Sequence, residues 1–218
     1  LLGLVYGIWD YIKNSGKYDA DTLTLEWISS IPGKRESRRL VGDHVLTQTD
    51  VVNQQPFPDM VTFGGWSVDL HHPDGVYATG VPDRHMFADG VFDIPLRCLY
   101  SVNVDNRLFA GRNVSTTHAG NGAIRVMGTC AAMGEAAGTA AALCVEKSAR
   151  PRQLGRDNIG LLQQRLLKAD ATIIGIRNED ADDKALRAEV SASSCLDFIE
   201  TTGEGRTEQM LQDLGILL

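Results

Sequence analysis

Apolar residues at the start of the chain recur with the spacing of a helix. In "LLGLVYGIWDYIKNSG" they fall at Leu4, Val5, Ile8, Trp9 and Ile12. This spacing predicts an amphipathic helix that stops at the Asn-Ser-Gly sequence. The following "TLTLEWIS" alternates apolar and polar residues, with Leu23, Leu25 and Trp27 on one side, and predicts a strand.

Strand-like runs dominate the next part of the chain. "MVTFGGWSVDLHHPDG" is broken at Gly64-Gly65 and ends in a Pro-Asp-Gly turn. From "FDIPLRCLYS" the pattern predicts a strand, a turn at Asp105-Asn106, a strand "LFAG", a loop and a long helix. A further amphipathic helix is predicted to start near Asp157, and the chain becomes polar and acidic after about residue 175.

The long helix, predicted from Ala123 to Lys147, is unusual because one face carries almost no side-chain bulk. That face consists of Gly128, Ala131, Gly134, Gly138, Ala141 and Ala142. Each interior glycine costs about 1 kcal/mol relative to alanine in a helix, so a tertiary contact has to repay this cost. Either the helix packs closely on a sheet, or a flat ligand approaches it.

The first turn of this predicted helix has an arginine where an acid is expected. It contains Ala123, Ile124 and Arg125, and no acid follows before Glu135. Unpaired N–H groups and the helix dipole at such a start favour an anion or a carbonyl. We interpret Gly120 and Gly122, in the preceding "HAGNG", as positions where a ligand touches the backbone.

Composition limits the function classes. The chain has 218 residues, of which 43% are hydrophobic, and a formal net charge of -7. A hydrophobic core is therefore expected, while the acidic balance without a basic run argues against a nucleic-acid partner. No stretch has the hydrophobicity of a membrane span. Four widely spread cysteines indicate neither a metal site nor a disulfide framework, and are expected to be small core residues.

Three segments resemble one family. "LFAGRNVSTTHAGNGAIRVMGTCAAMGEAAGTAAAL" is similar to the C-terminal flavin-binding segment of FAD-dependent oxidoreductases, the flavoproteins that include the glutathione reductase and fumarate reductase types. "PGKRESRRLVGDHVLTQTDV" and "FGGWSVDLHHPDG" resemble two further signatures of that family, in the expected order. The resemblance covers roughly residues 1 to 175.

The resemblance implies FAD as the cofactor, and it implies contacts by residue. Gly111 and Arg112 would lie beside the ribityl chain, and Arg125, Val126 and Met127 at the N1/C2 edge of the flavin. The full set of predicted cofactor-binding residues is Gly111, Arg112, Asn113, His118, Gly122, Ala123, Arg125, Val126 and Met127. Negative charge on the reduced flavin would be stabilised by the helix start and Arg125.

The resemblance also implies the fold. We expect a mixed α/β, or α+β, arrangement: part of a two-domain flavoprotein, with an antiparallel-rich substrate sheet followed by one strand and one helix of a Rossmann-like FAD domain. Residues 1–105 would form the substrate portion, 106–175 the C-terminal FAD-binding portion, and 176–218 a linker or the start of a further unit.

The sequence has no GxGxxG fingerprint for the ADP half of FAD. We therefore expect a C-terminal part of a larger flavoprotein, completed by a missing N-terminal domain or by a second chain, with apolar surface left uncovered. Such a chain would act on a small-molecule substrate, and a resemblance around "DDKALRAEVSASS" to a junction before carbohydrate-binding domains suggests a sugar-like one. The alternative is a non-catalytic binding fragment.

The candidate catalytic residues are Asp69, His71 and Arg39. Asp69 and His71 lie two apart in a predicted strand and so share a face, which would suit proton abstraction coupled to hydride transfer. The alternative is a hydrogen-bonded pair at a strand end before the Pro73 turn. Arg39 and its basic neighbours could bind a carboxylate or the flavin pyrophosphate, or pair with Glu36, Asp43 and Asp50 on the surface.

Overall fold

The computed structural model describes residues 1–31, 33, 36–81, 83–184, 187–189 and 191–194. The chain divides into two compact units, residues 1–37 and the residues from Arg38 onward. No helix within the described ranges is both long and apolar enough to cross a bilayer. The domain boundaries expected near residues 105 and 175 stay predictions.

The first unit contains the predicted opening helix, α1 (Leu2–Asn14), and the residue after its end, Ser15, donates its N–H to the carbonyl of Tyr11 at 3.2 Å. The strand predicted over "TLTLEWIS" is wrong, because these residues have no regular structure. Lys13 Nζ donates to the carbonyls of Ala20, Asp21 and Leu23 at 2.6, 2.9 and 2.9 Å. The Leu23 carbonyl is thus engaged by a side chain rather than by a neighbouring strand.

The second unit alternates short helices with short strands. Its strands are β1 (Met60–Gly64), β2 (Val68–His71), β3 (Asp83–Met86) and β4 (Phe92–Pro95). Its helices are α2 (Gln48–Val52), α3 (His118–Ile124), α4 (Met127–Glu146), α5 (Pro151–Asp157) and α6 (Ile159–Lys168), with 3-10 turns at Gly75–Tyr77 and Leu96–Cys98.

One two-stranded sheet carries the core. β1 pairs antiparallel with β4, with Thr62 opposite Ile94, and α4 and α6 pack against β1. The predicted apolar face of α6 is confirmed, since Leu162 and Leu166 are fully buried. Gln163, also buried, donates its side-chain amide to the carbonyls of Met60 (2.9 Å) and Pro58 (3.2 Å), which ties α6 to the start of β1.

The second sheet is the antiparallel pair of β2 and β3. The predicted break at Gly64-Gly65 is therefore real, because β1 and β2 belong to different sheets. The predicted strand "LFAG" is wrong as a strand: Leu108 forms only a single antiparallel bridge with Tyr100. The mixture of helices and small antiparallel sheets agrees with the expected α/β class, but the described strands do not form a Rossmann-like sheet.

The long helix predicted from Ala123 is in fact two helices. Thr117 caps α3 by accepting a hydrogen bond from the N–H of Gly120 (3.1 Å), and α3 ends at Ile124. Val126 is extended, with φ -74° and ψ 152°, so the helical ladder stops there and α4 starts at Met127. The Cys130 thiol donates to the carbonyl of Ile124 at 3.5 Å. This contact partly satisfies a carbonyl at the end of α3, where the helical hydrogen bonds stop.

The face of small residues on α4 is exposed. The buried side of α4 consists of Thr129, Met133, Ala136, Ala137, Ala140 and Leu143. On the opposite side, no described heavy atom lies within 4 Å of a Cβ built at Gly128, Gly134 or Gly138. Met127 and Val145 at the two ends of this side are 84% and 81% exposed. The expectation of uncovered surface on this helix is confirmed.

Two substitutions near the end of α4 test its orientation. Leu143→Ala should lower the free energy of unfolding by about 2–5 kcal/mol, because Leu143 is fully buried. Val145→Ala should change it by less than about 0.5 kcal/mol, because Val145 is exposed. Urea denaturation followed by circular dichroism measures both, and equal effects would contradict an α4 that buries Leu143 and exposes Val145.

Candidate functional site

The site is built around a close approach of α3 to β2. A Cβ on Gly122 would lie 2.7 Å from the carbonyl oxygen and 3.0 Å from the nitrogen of Asp69. No side chain fits in that space, so a glycine is needed at this position of α3. The glycines of "HAGNG" were interpreted as room for a ligand, and this is wrong for Gly120 and Gly122. Protein atoms fill the space at both: Asp69 at Gly122, and Leu46 and Thr116 at Gly120.

Asp69 is the centre of a group of charged side chains. Arg125 Nη2 donates to Asp69 Oδ2 at 2.9 Å and to the Asp69 carbonyl at 3.2 Å. His71 Nε2 lies 3.3 Å from the same carboxylate oxygen. The predicted shared face of Asp69 and His71 is thereby confirmed, and Arg125 joins the pair. The side chains of Asp69 and Arg125 are 16% and 13% exposed, whereas that of His71 is 48% exposed.

This arrangement keeps Asp69 ionised. Burial alone would raise the pKa of Asp69, but the hydrogen bond from Arg125 and the neighbouring charges of His71, Arg125 and His85 bring that pKa below its ordinary value. A carboxylate held in this way can orient the imidazole of His71. The more exposed imidazole is then the group that meets solvent or a bound molecule.

The sequence interpretation missed the partners on β3. His85 lies directly opposite Asp69 in the sheet, and Asp83 lies opposite His71. His85 Nε2 is 3.0 Å from Asp83 Oδ2 and 3.7 Å from Asp69 Oδ1. The signal available in the sequence was the repeated Asp-x-His pattern, "DLH" at 69–71 and "DRH" at 83–85. Antiparallel pairing places the Asp of each copy opposite the His of the other.

A cavity of about 580 Å³ adjoins the site. His71, Asp83, Arg84 and His118 are among the residues that line it. The structure therefore brings His118, a predicted cofactor residue, to the same cavity as the predicted catalytic His71. Its volume falls within the range usual for small-molecule sites.

The predicted cofactor residues of the helix region are distributed between core and surface. Gly122 and Ala123 are buried, and Ala123 is 0% exposed. Val126 is half-buried and Met127 is exposed at the start of α4. This first turn contains no acid, and Val126 gives it no side-chain cap. The first N–H groups of a 20-residue helix therefore lie beside exposed surface.

Arg125 does not lie in the first turn of the helix of small residues. It is the C-cap of α3, where a cation is favoured by the dipole of that helix. Its guanidinium is engaged by Asp69 rather than directed at the start of α4. The unfavourable arginine inferred from the sequence was a consequence of merging two helices into one.

The loop before α3 meets the break between the helices. Gly111 has φ +90°, which side chains rarely adopt, and open space at its Cβ position. Arg112 Nε donates to the carbonyl of Arg125 at 3.2 Å, which joins this loop to the end of α3. Asn113 accepts a hydrogen bond from the N–H of Leu40 at 2.8 Å. Gly111 and Arg112 therefore lie near the start of α4.

Arg39 is exposed and precedes Leu40, so it lies near Asn113. Two of the acids that could have paired with the basic cluster have other partners. Asp43 accepts from Arg152 at 2.6 Å and from Tyr100 at 2.9 Å, and Asp50 forms the capping box of α2 with Thr47. Lys34 and Arg35 lie outside the described residues.

Comparison with known proteins identifies the family. The model of the family described as FAD dependent oxidoreductase matches residues 2–166, about three quarters of the chain. The chain belongs to this family, and FAD is the cofactor of the family. Searches of curated proteins and of solved structures found no match.

The residues at the start of α4 fit part of FAD. Backbone N–H groups, with Arg112 close by and no acid in the turn, are donors suited to the electron-rich edge of a flavin ring. The open space at Gly111 and Gly128 leaves room for a flat ring system beside them. The part of FAD that these residues fit is its flavin ring.

A matched pair of glycine substitutions tests the contact that builds the site. Gly122→Ala should lower the free energy of unfolding by about 1–3 kcal/mol, because the new methyl group meets the backbone of Asp69. Gly134→Ala should raise it by about 0.5–1 kcal/mol, because that position of α4 is open. Thermal and urea unfolding give both values, and a neutral Gly122→Ala variant would contradict the close approach.

Proposed function

We propose that this chain forms the flavin-facing and substrate-facing part of an FAD-dependent oxidoreductase that takes a hydride from a small polar or sugar-like molecule. The observation that carries the proposal is the connection between the Asp69–His71 pair and the start of α4. Arg125 joins Asp69 and His71 on β2 to the break from which α4 starts. The nucleotide end of FAD would then be bound by a segment or chain beyond the described residues.

The chain's own residues have separate roles in this proposal. The backbone N–H groups of Met127, Gly128 and Thr129 face the flavin edge, and Arg112 holds the neighbouring loop in place. His71 accepts a proton from the substrate at Nδ1, while Asp69, 3.3 Å from Nε2, orients the imidazole and stabilises its positive charge. Arg125 fixes the Asp69 carboxylate. FAD, when bound, supplies the acceptor for the hydride.

A change of charge at the start of α4 tests flavin binding. Met127→Glu should weaken FAD binding at least about tenfold, or about 1.4 kcal/mol, because the carboxylate repels the electron-rich edge. The same change should leave the fold intact or slightly stabilised, because an acid suits a helix start. Titration of FAD fluorescence with the purified chain measures the affinity.

Val145→Glu is the matched control, because Val145 is similarly exposed near the other end of α4. It should leave the FAD affinity within about twofold of the unmodified chain. Equal weakening of FAD binding by Met127→Glu and Val145→Glu would contradict a flavin contact at the start of α4. A chain that does not alter FAD fluorescence at any concentration would favour the alternative of a non-catalytic binding fragment.

A substitution of His71 tests the proton-transfer step. The FAD-loaded chain would be mixed anaerobically with aldoses, polyols, 2-hydroxy acids and amino acids, and the loss of flavin absorbance followed. For a compound that reduces the flavin, His71→Ala should slow reduction by about 10²- to 10⁴-fold, the usual contribution of a positioned base. His44→Gln is the control, since the His44 ring contacts Asp50 and Phe57. Unchanged reduction in His71→Ala would remove His71 from the mechanism.

A further inference from the structure

The paired Asp-x-His patterns of β2 and β3 form a compact group of metal-ligand side chains. Alternation along each strand places Asp69, His71, Asp83 and His85 on one face of this sheet. Leu70 and Arg84, which face each other in the register, belong to the opposite face. No positive side chain from the strands themselves therefore shares the face of the four Asp and His residues.

Three of these residues are close enough to share one ion. One ligand atom each from Asp69, Asp83 and His85 lie within 4.8 Å of one another. His85 Nε2 is 3.0 Å from Asp83 Oδ2 and 3.7 Å from Asp69 Oδ1. Ligands held at about 2.1 Å around a tetrahedral ion are separated by about 3.4 Å, which lies between these two distances.

One oxygen in this group lacks a hydrogen bond. Asp69 Oδ1 is completely buried and has no hydrogen-bond partner among the described residues. The other oxygen of the same carboxylate is occupied by Arg125 and His71. A buried carboxylate oxygen without a donor is costly, and a cation on that side would remove the cost. The two oxygens of Asp69 can thus serve the ion and the His71 pair at the same time.

His85 is oriented as a metal ligand usually is. Ser67 Oγ, from a residue only 6% exposed, lies 2.9 Å from His85 Nδ1 and fixes the ring with Nε2 towards the two carboxylates. A second hydrogen bond of this kind, on the nitrogen that does not bind the ion, is typical of histidine ligands. The side chains of His85 and Asp83 are 35% and 42% exposed, so an ion can enter from solvent.

We infer that Asp69 Oδ1, Asp83 Oδ2 and His85 Nε2 bind a divalent transition-metal ion, with water at the remaining positions. One imidazole and two carboxylates suit Zn²⁺ and Co²⁺ better than Ca²⁺. The two carboxylates and the single Arg125 charge leave a net negative group that favours a cation. This site shares Asp69 with the proposed catalytic pair, but its test needs no activity.

The test is titration of the purified, metal-free chain with Zn²⁺ by calorimetry and with Co²⁺ by visible absorption. The unmodified chain should bind one ion saturably at this site. Asp83→Asn, at a half-exposed position and nearly equal in shape, should weaken the Zn²⁺ affinity at least tenfold. Asp74→Asn is the matched control, because Asp74 is an exposed aspartate that lies beside His72 rather than His85. It should change the affinity less than twofold.

Two further readouts keep the outcomes distinct. The Co²⁺ spectrum should lack the sulfur charge-transfer band that binding to Cys130 or Cys144 would produce. Zn²⁺ should raise the thermal midpoint of the unmodified chain and not that of Asp83→Asn, which also shows whether the variant is folded. Absence of saturable binding, equal affinity in Asp83→Asn, or a thiolate band would each overturn the inference.

Discussion

The contact between Gly122 and the backbone of Asp69 is the constraint on which the candidate site depends. At 2.7 Å from a would-be Cβ, the Asp69 carbonyl leaves no space for any side chain on α3 at this position. Because α3 lies this close to β2, Arg125 at its C-terminal end reaches both the carboxylate and the carbonyl of Asp69. A helix set further away would leave Asp69 buried without its counter-charge. One glycine therefore determines where a carboxylate and two imidazoles meet.

The break after α3 has a second consequence. Since the chain is extended at Val126, α4 starts afresh at Met127, two residues after the Arg125 carbonyl to which Arg112 donates. The polar face of β2 and β3 and the start of α4 are then connected through Arg125. In an enzyme of this family, the flavin and the group that handles the substrate proton have to be close together. The two-helix arrangement brings this chain's candidates for both roles to neighbouring places.

Local patterns in the sequence predicted part of this arrangement. The helical spacing in α1 and α6, the two strands separated at Gly64-Gly65 and the shared face of Asp69 and His71 follow from periodicity, and the structure agrees. The family followed from the order of three motifs, and the family comparison agrees. For the small-residue face of α4, the sequence left two alternatives, close packing on a sheet or the approach of a flat ligand, and in the structure this face is open.

Other features depend on long-range contacts that a pattern does not contain. Nothing between Ala123 and Met127 interrupts a helical composition, so the break at Val126 was missed, and with it the true position of Arg125. The prediction of a strand at "TLTLEWIS" was wrong because alternation of apolar and polar residues does not guarantee a partner strand. The Leu23 carbonyl accepts a hydrogen bond from Lys13 instead. His85 was passed over because its importance arises only from its register with Asp69.

The most direct test of the account is a ¹H–¹⁵N spectrum of the labelled chain recorded while FAD is added. If the start of α4 receives the flavin, the amide signals of Met127, Gly128 and Thr129 should shift first and furthest, together with those of Gly111 and Arg112. Signals at the other end of α4, around Val145, should stay in place. Shifts confined to other parts of the chain, or an unchanged spectrum at saturating FAD, would contradict the account.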